Sequence, residues 1–280
     1  MKTLYLTDLD GTLLNAQSRL SECTRETLNG LIRQGMAFSY ATARSFQSAQ
    51  TVTQGLTLKL PVICHNGAFL VEPESGKILY SHTFSAQEVD SLRTIAERFA
   101  LKPFVYSMEN GAQRVYYLPW AISEGGRFYL SSRQGDPRMR PVDFEKELFR
   151  GEVFYFSWIG EYGQLSPLAQ VLEKDDRFHC VFQQELYREE YWLEVMPRRA
   201  TKAEGAKLLK QLCGCERLVC FGDRANDISM FRVADEAYAV AGAPSELTAF
   251  STGILKSNDK DAVAEFLLER SRICPSAVAD

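Results

Sequence analysis

The chain reads as an α/β protein: a Rossmann-like parallel-sheet core with a second, α+β domain inserted into it. Three observations predict this. Short apolar, β-like runs alternate with helix-like segments over the first 80 residues, the rhythm of parallel strands joined by crossover helices. The same rhythm resumes near residue 200. Between the two blocks lie all three tryptophans, Trp120, Trp158 and Trp192, and 21 of the 32 aromatic residues, within about 81 to 195. The core is therefore expected over residues 1–80 and 196–280, and the insertion over 81–195.

The elements follow in order. "LYLT" is a strand, "SECTRETLNGLIRQG" a helix, "MAFSYAT" a strand, "RSFQSAQTVTQ" a helix and "LPVICHNGAFLV" a further strand region. Runs such as "PVIC" are apolar throughout, as expected of strands covered on both faces. The insertion opens with a capping box, Ser85 with Glu88, ahead of the helix "AQEVDSLRTIAERF". Gly and Pro break all periodicity in "SSRQGDPRMRPVDF". The core then returns as the helix "TKAEGAKLLKQLCG", the strand "ERLVCFGD", the helix "ANDISMFRVA", the strand "EAYAVA" and the closing helix "DKDAVAEFLLER".

Composition narrows the function. Hydrophobic residues make up 45% of 280, ample for a packed core, and the formal charge of -4 argues against a nucleic-acid surface. A small anionic ligand needs only a few local cations. Seven cysteines without C-x-x-C spacing argue against a disulfide framework or a zinc site and fit a reducing cytoplasm. Cys213-Gly214-Cys215 reads as a helix end with Gly214 as the stop, in preference to a soft-metal site. No leader-like segment and no run of 18 apolar residues stands out, so a cytoplasmic protein without a membrane span is expected.

In open α/β sheets ligands bind outside the carboxyl ends of the strands. Four strands here end in chemically telling residues: Asp8-Leu9-Asp10-Gly11, Thr42-Ala43-Arg44, Asn66-Gly67, and Gly222-Asp223 followed by Asn226 and Asp227. If the sheet gathers those ends, Asp8, Asp10, Asp223 and Asp227 converge, and carboxylates at such range must share a proton or a cation. Oxygen ligands without His or Cys favour magnesium. A calcium loop beginning at Asp8 fails, with Leu13 where glycine belongs and Arg19 where glutamate belongs. Thr201 and Glu204 read as a capping box, which puts Lys202 at the first helical position, where the macrodipole disfavours a cation. It is either a tolerated, solvated lysine or part of an anion site at that helix end.

Taken together, "DLDGTLL", Thr42 with Arg44, Lys202 at a helix start and "FGDRANDISMF" resemble, in order, the four motifs of the haloacid-dehalogenase-like phosphatases. The insertion resembles the large α/β cap of the Cof-type subgroup, and "HNGAFL" and "GAPSELTAFSTGILKSNDKDAVAEFL" extend the similarity over nearly the whole chain. The resemblance implies an aspartyl-phosphate mechanism in a magnesium-dependent phosphatase of small phosphorylated metabolites such as sugar phosphates. It implies Asp8 as nucleophile and Asp10 as general acid and base. It implies Mg2+ held by the Asp8 carboxylate, the Asp10 carbonyl and Asp223, with Asp227 orienting from behind. Thr42, the amides of Leu9 and Ala43, Lys202 and the Asn226 amide would hold the phosphoryl oxygens. A phosphomutase or phosphotransferase on the same core, or a phosphate sensor without turnover, are the alternatives.

One position departs from the family, which has Thr-Gly-Arg where this chain has Thr42-Ala43-Arg44; alanine resists positive φ, so an altered phosphate grip is expected. Arg44 suits either a substrate contact or a helix start. The inserted domain is the candidate for choosing the alcohol, with Arg114, Glu124 and Arg127 as unranked contacts, while each tryptophan is expected to serve the core. His65, His82 and His179 show no ligand spacing and receive no catalytic role.

Overall fold

The structure, a computed structural model, describes residues 1–185 and 188–273. Cys274, one of the seven cysteines, lies outside the described residues. The chain divides into two compact units, Met1–Ser81 with Ala200–Asp280, and His82–Arg199. The first begins with β1 (Thr3–Thr7), α1 (Glu22–Arg33), β2 (Ala37–Tyr40), α2 (Phe46–Val52), β3 (Val62–Cys64), β4 (Phe69–Val71) and β5 (Ile78–Ser81). The second contains α3 (Ala86–Arg98), β6 (Phe104–Glu109), β7 (Ala112–Tyr117), α4 (Glu124–Ser131), β8 (Met139–Pro141), β9 (Glu152–Gly160), α5 (Tyr162–Leu172), β10 (Phe178–Gln184) and β11 (Tyr191–Pro197). The first unit resumes with α6 (Lys202–Leu212), β12 (Arg217–Gly222), α7 (Ile228–Phe231), β13 (Glu236–Ala239), α8 (Ser245–Thr248), β14 (Gly253–Ile254) and α9 (Ala262–Ile273).

The first unit is built on a parallel sheet in the order β14-β13-β12-β1-β2. Leu4 to Thr7 are all buried, because a central parallel strand is covered on both faces. One side of that core joins Leu4 and Leu6 to Ala206 and Leu209 of α6, Cys220 of β12 and Met230 of α7. Ser21 and Ser45 cap α1 and α2 by accepting from the amides of Thr24 and Ser48. β3 extends this sheet only through the bridge Ala41↔Ile63, then pairs antiparallel with β4. The helix expected over "ANDISMFRVA" shrinks to α7, since Asp227 turns its carboxylate back onto the amides of Asp223 and Arg224.

The second unit is a six-stranded sheet, β10-β11-β9-β6-β7-β8, antiparallel except for the β7 and β8 pair. α3 and α5 bury Leu92, Ala96, Leu165, Leu168 and Leu172 against Val105, Phe156, Leu193 and Val195. The Ser85 and Glu88 capping box is present in full. Trp158 is a core residue, whereas Trp120 is 65% exposed and corrects the expectation of a core role for it. Arg114 and Arg127 donate to the carbonyls of Gln113 and Ile122, at 3.0 and 2.9 Å.

His179 on β10 is opposite Met196, and burial pushes its imidazole down from 6.5 to about 4. Between those values the unfolded chain binds a proton that the native unit does not. Stability present above pH 6.5 is therefore lost as pH falls toward 4, at about 1.4 kcal/mol per unit of depressed pKa. The substitution His179→Gln is expected to flatten the fall in urea midpoint across this window. A variant with the parent's pH slope would contradict it.

Candidate active site

β1 and β12 run side by side in register, and Asp8 N–H continues the pairing by donating to Phe221 C=O at 2.9 Å. The two chains then part at their carboxyl ends. After Asp8 the backbone turns through Leu9–Leu13, with Gly11 at φ +77 and Leu14 N–H donating to Leu9 C=O at 2.8 Å. This turn brings Thr12 Oγ1 to Asp223 Oδ1 at 2.9 Å. A Cβ on Gly11 would stand 2.2 Å from Asp223 Oδ2, so any other residue would have to displace that carboxylate as well as adopt an unfavourable φ.

Lys202, at the start of α6, is buried among these acids. Its Nζ donates to Asp8 Oδ1 at 2.5 Å and to Asp227 Oδ1 at 2.7 Å. The other oxygen of Asp227 accepts from the amides of Asp223 (2.9 Å) and Arg224 (3.1 Å), which fixes this carboxylate from both sides. Of the α6 capping box only half forms. Thr201 Oγ1 accepts from Glu204 N–H at 3.1 Å, but the Glu204 carboxylate pairs with Lys207 at 2.8 Å and does not return to the cap.

Ligand oxygens of Asp8, Asp223 and Asp227 lie within 4.8 Å of one another, all buried. Three carboxylates against one ammonium leave two negative charges in excess when all are ionised. Arg224 reaches Asp223 only at 3.6 Å, from a half-exposed position. Burial raises the Asp8 carboxyl well above its ordinary range; Lys202 opposes this, and Asp227, Asp223 and Asp10 add to it. Burial, then Asp227, pushes Asp223 up to about 7 against the Thr12 hydrogen bond. Burial alone would lower Lys202, but Asp227 and Asp8 outweigh it and hold the ammonium above its usual value. A buried, all-oxygen donor set with this charge fits a hard divalent cation.

Asp10 stands apart from this cluster. Arg44 grips its carboxylate with both arms, Nε to Oδ2 at 2.7 Å and Nη2 to Oδ1 at 2.6 Å, while Nη1 donates to Ser48 Oγ at 3.1 Å. Arg44 thus stands just before the Ser45 cap of α2, as the helix-start reading had it, while its grip on Asp10 was in neither reading. Thr42 is buried, and its Oγ1 accepts from Arg44 N–H at 3.1 Å. Ala43 is not among the residues with positive φ, so the backbone conformation from which an altered phosphate grip was expected is not adopted there. Asn226 donates to Asn66 Oδ1 at 3.2 Å. Leu9 buries its side chain in the core. Thr12 and Ser48 were missed by sequence reasoning; the hydroxyl directly after Asp-Gly was the available signal for Thr12.

A family model of haloacid dehalogenase-like hydrolases matches residues 5–267. The 5-amino-6-(5-phospho-D-ribitylamino)uracil phosphatase YwtE of Bacillus subtilis is 24% identical, over 93% of this chain and 95% of its own. Phosphatase YwpJ of the same organism is 25% identical, over 94% and 98%. A haloacid dehalogenase-like hydrolase from Bacteroides thetaiotaomicron superposes with a TM-score of 0.75 at 23% identity, covering 96% of this chain and 99% of that one. Among the described residues no helix is long and apolar enough to cross a membrane.

The Gly11 geometry is testable by itself. The substitution Gly11→Ala forces a Cβ onto Asp223 and a strained φ, and is expected to cost about 1–3 kcal/mol of unfolding free energy by urea titration. Parent-like stability would refute the close approach.

Proposed function

We propose that this chain, which belongs to the haloacid dehalogenase-like hydrolase family, is a magnesium-dependent phosphatase of small phosphomonoesters that works through an aspartyl-phosphate. The observation that carries the reading is the buried Lys202, pinned between Asp8 and Asp227 with Asp223 beside them, at the carboxyl ends of β1 and β12. Asp8 and Asp223 would hold magnesium together with the Asp10 backbone carbonyl. When bound, the ion neutralises the carboxylates and the phosphoryl oxygens.

The chain's own residues account for the remaining steps. Asp8 attacks phosphorus, and the bond from phosphorus to the leaving alcohol breaks as Asp10 hands its proton to that oxygen. Water then attacks the phosphorus of the aspartyl-phosphate, Asp10 takes a proton from it, and inorganic phosphate and the free Asp8 carboxylate result. Lys202, Thr42, Asn226 and the amides of Leu9 and Ala43 hold phosphoryl oxygens, so catalysis rests on alignment and charge. Asp227 keeps Lys202 and the turn after β12 in place. Arg44 sets the direction of the Asp10 carboxylate. The unit His82–Arg199 serves as the cap that selects the alcohol. The compound named for YwtE, a uracil bearing a phosphorylated ribitylamino group, belongs in any substrate panel beside the sugar phosphates.

Replacing Asp8 by Asn is expected to lower magnesium-dependent phosphate release from p-nitrophenyl phosphate by at least about 10³-fold with the circular dichroism unchanged. Chelation with EDTA should abolish turnover in the parent, and added magnesium should restore it. Persisting turnover in either case would sink the reading. The substitution Arg44→Ala should slow alkyl phosphates by roughly 10- to 100-fold and p-nitrophenyl phosphate far less, because a poor leaving group depends most on the acid. Equal losses on both would remove Arg44 from control of Asp10.

A further inference from the structure

The end of α6 holds a second chemical feature. Cys213 caps the helix, its N–H donating to Leu209 C=O at 3.0 Å, and Gly214 follows at φ +62, the left-handed stop expected from sequence. The chain wraps back so that Cys215 N–H donates to Lys210 C=O at 3.0 Å. This places the two Sγ atoms 3.2 Å apart, whereas a disulfide bond is about 2.03–2.05 Å long. Apart from Cys213 and Cys215 themselves, nothing in the rest of the chain stands within 4 Å of where a Gly214 Cβ would be, so the linking peptide has room to shift as the sulfurs close.

We propose that Cys213 and Cys215 form a reversible dithiol–disulfide pair that exchanges with small-molecule disulfides. Cys213 is the more exposed thiol and attacks first. Its thiolate bonds to one sulfur of R–S–S–R and expels RS⁻, leaving a mixed disulfide. Cys215 then attacks Cys213 Sγ, the bond to RS breaks, and the Cys215 proton leaves with the departing thiol. Two electrons pass from the protein to the small disulfide, which becomes two RSH.

Two observations favour this over other uses of the pair. Among the described residues the only group of three or more His, Cys, Asp or Glu placed to share a metal is Asp8, Asp223 and Asp227, so these thiols lack a third ligand. The loop they would close is too short to restrict the unfolded chain strongly, so the bond suits exchange better than stabilisation. Cys64 and Cys220 are fully buried, out of reach of a small disulfide. Cys215 is buried too, and burial pushes its thiol up to about 12, but it has only to reach a sulfur 3.2 Å away in its own chain. Cys23 is exposed and serves as the internal control.

The test uses the full, reduced chain incubated with oxidised glutathione, quenched in acid, denatured, alkylated and digested with trypsin. Cleavage after Lys210 and Arg217 releases both cysteines on one peptide. That peptide is expected mainly two hydrogens lighter and free of glutathione, returning to the dithiol with dithiothreitol. The substitution Cys215→Ser should trap glutathione on Cys213 at least ten-fold above the parent, and Cys213→Ser should leave Cys215 with less adduct than that. A parent peptide that stays fully alkylated while Cys23 is glutathionylated would overturn the proposal. So would a bond that joins two chains on a non-reducing gel.

Discussion

The constraint on which the first unit depends is the burial of three carboxylates around one ammonium. Asp8, Asp223 and Asp227 cannot be placed together in a low-dielectric interior by packing alone. Each has a covalent or hydrogen-bonded reason to be there. Asp8 follows β1, Asp223 follows β12, and the parallel register of those strands puts both ends at one level. Asp227 is held by two backbone amides, and Lys202 arrives from the first turn of α6. The helix macrodipole opposes a lysine there by some tenths of a kcal/mol. Contacts of 2.5 and 2.7 Å to two buried carboxylates outweigh that small penalty, and they explain why the solvated reading of Lys202 does not hold.

Much of this arrangement was legible in the sequence because it is written in periodicity and in strand-end chemistry. The α/β rhythm and the inserted aromatic-rich segment follow from apolar patterning, and parallel topology then requires the strand ends to meet. What was not legible depends on side-chain direction. The string Thr201-x-x-Glu204 has the spacing of a capping box, yet Glu204 finds Lys207 one turn on and the box closes by half. Alanine in place of the family's glycine at position 43 pointed to an altered phosphate grip on the premise of a positive φ, and the backbone at that point has none. Thr12 escaped notice because its partner, Asp223, is 211 residues away and reaches it only through the Gly11 turn.

Asp8 and Asp10 are two residues apart and carry the same functional group, yet they sit in different surroundings. Asp8 is buried with a lysine and two further acids, and its carboxyl is raised by burial and held in check by Lys202. Asp10 is half-exposed and meets a planar fork that satisfies both of its oxygens. The fork matters for geometry more than for charge, since a bidentate guanidinium fixes the plane of a carboxylate where a lysine would fix only a point. Arg44 is itself tied to Ser48 on α2 and, through its amide, to Thr42. The orientation of Asp10 is therefore referred to the end of β2, the strand that flanks β1 on the side opposite β12. Two neighbouring carboxylates are steered from two sides of one strand, and it is this lateral division, not the spacing in the string "DLDG", that gives them different surroundings: Asp8 among buried charges, Asp10 in a guanidinium fork.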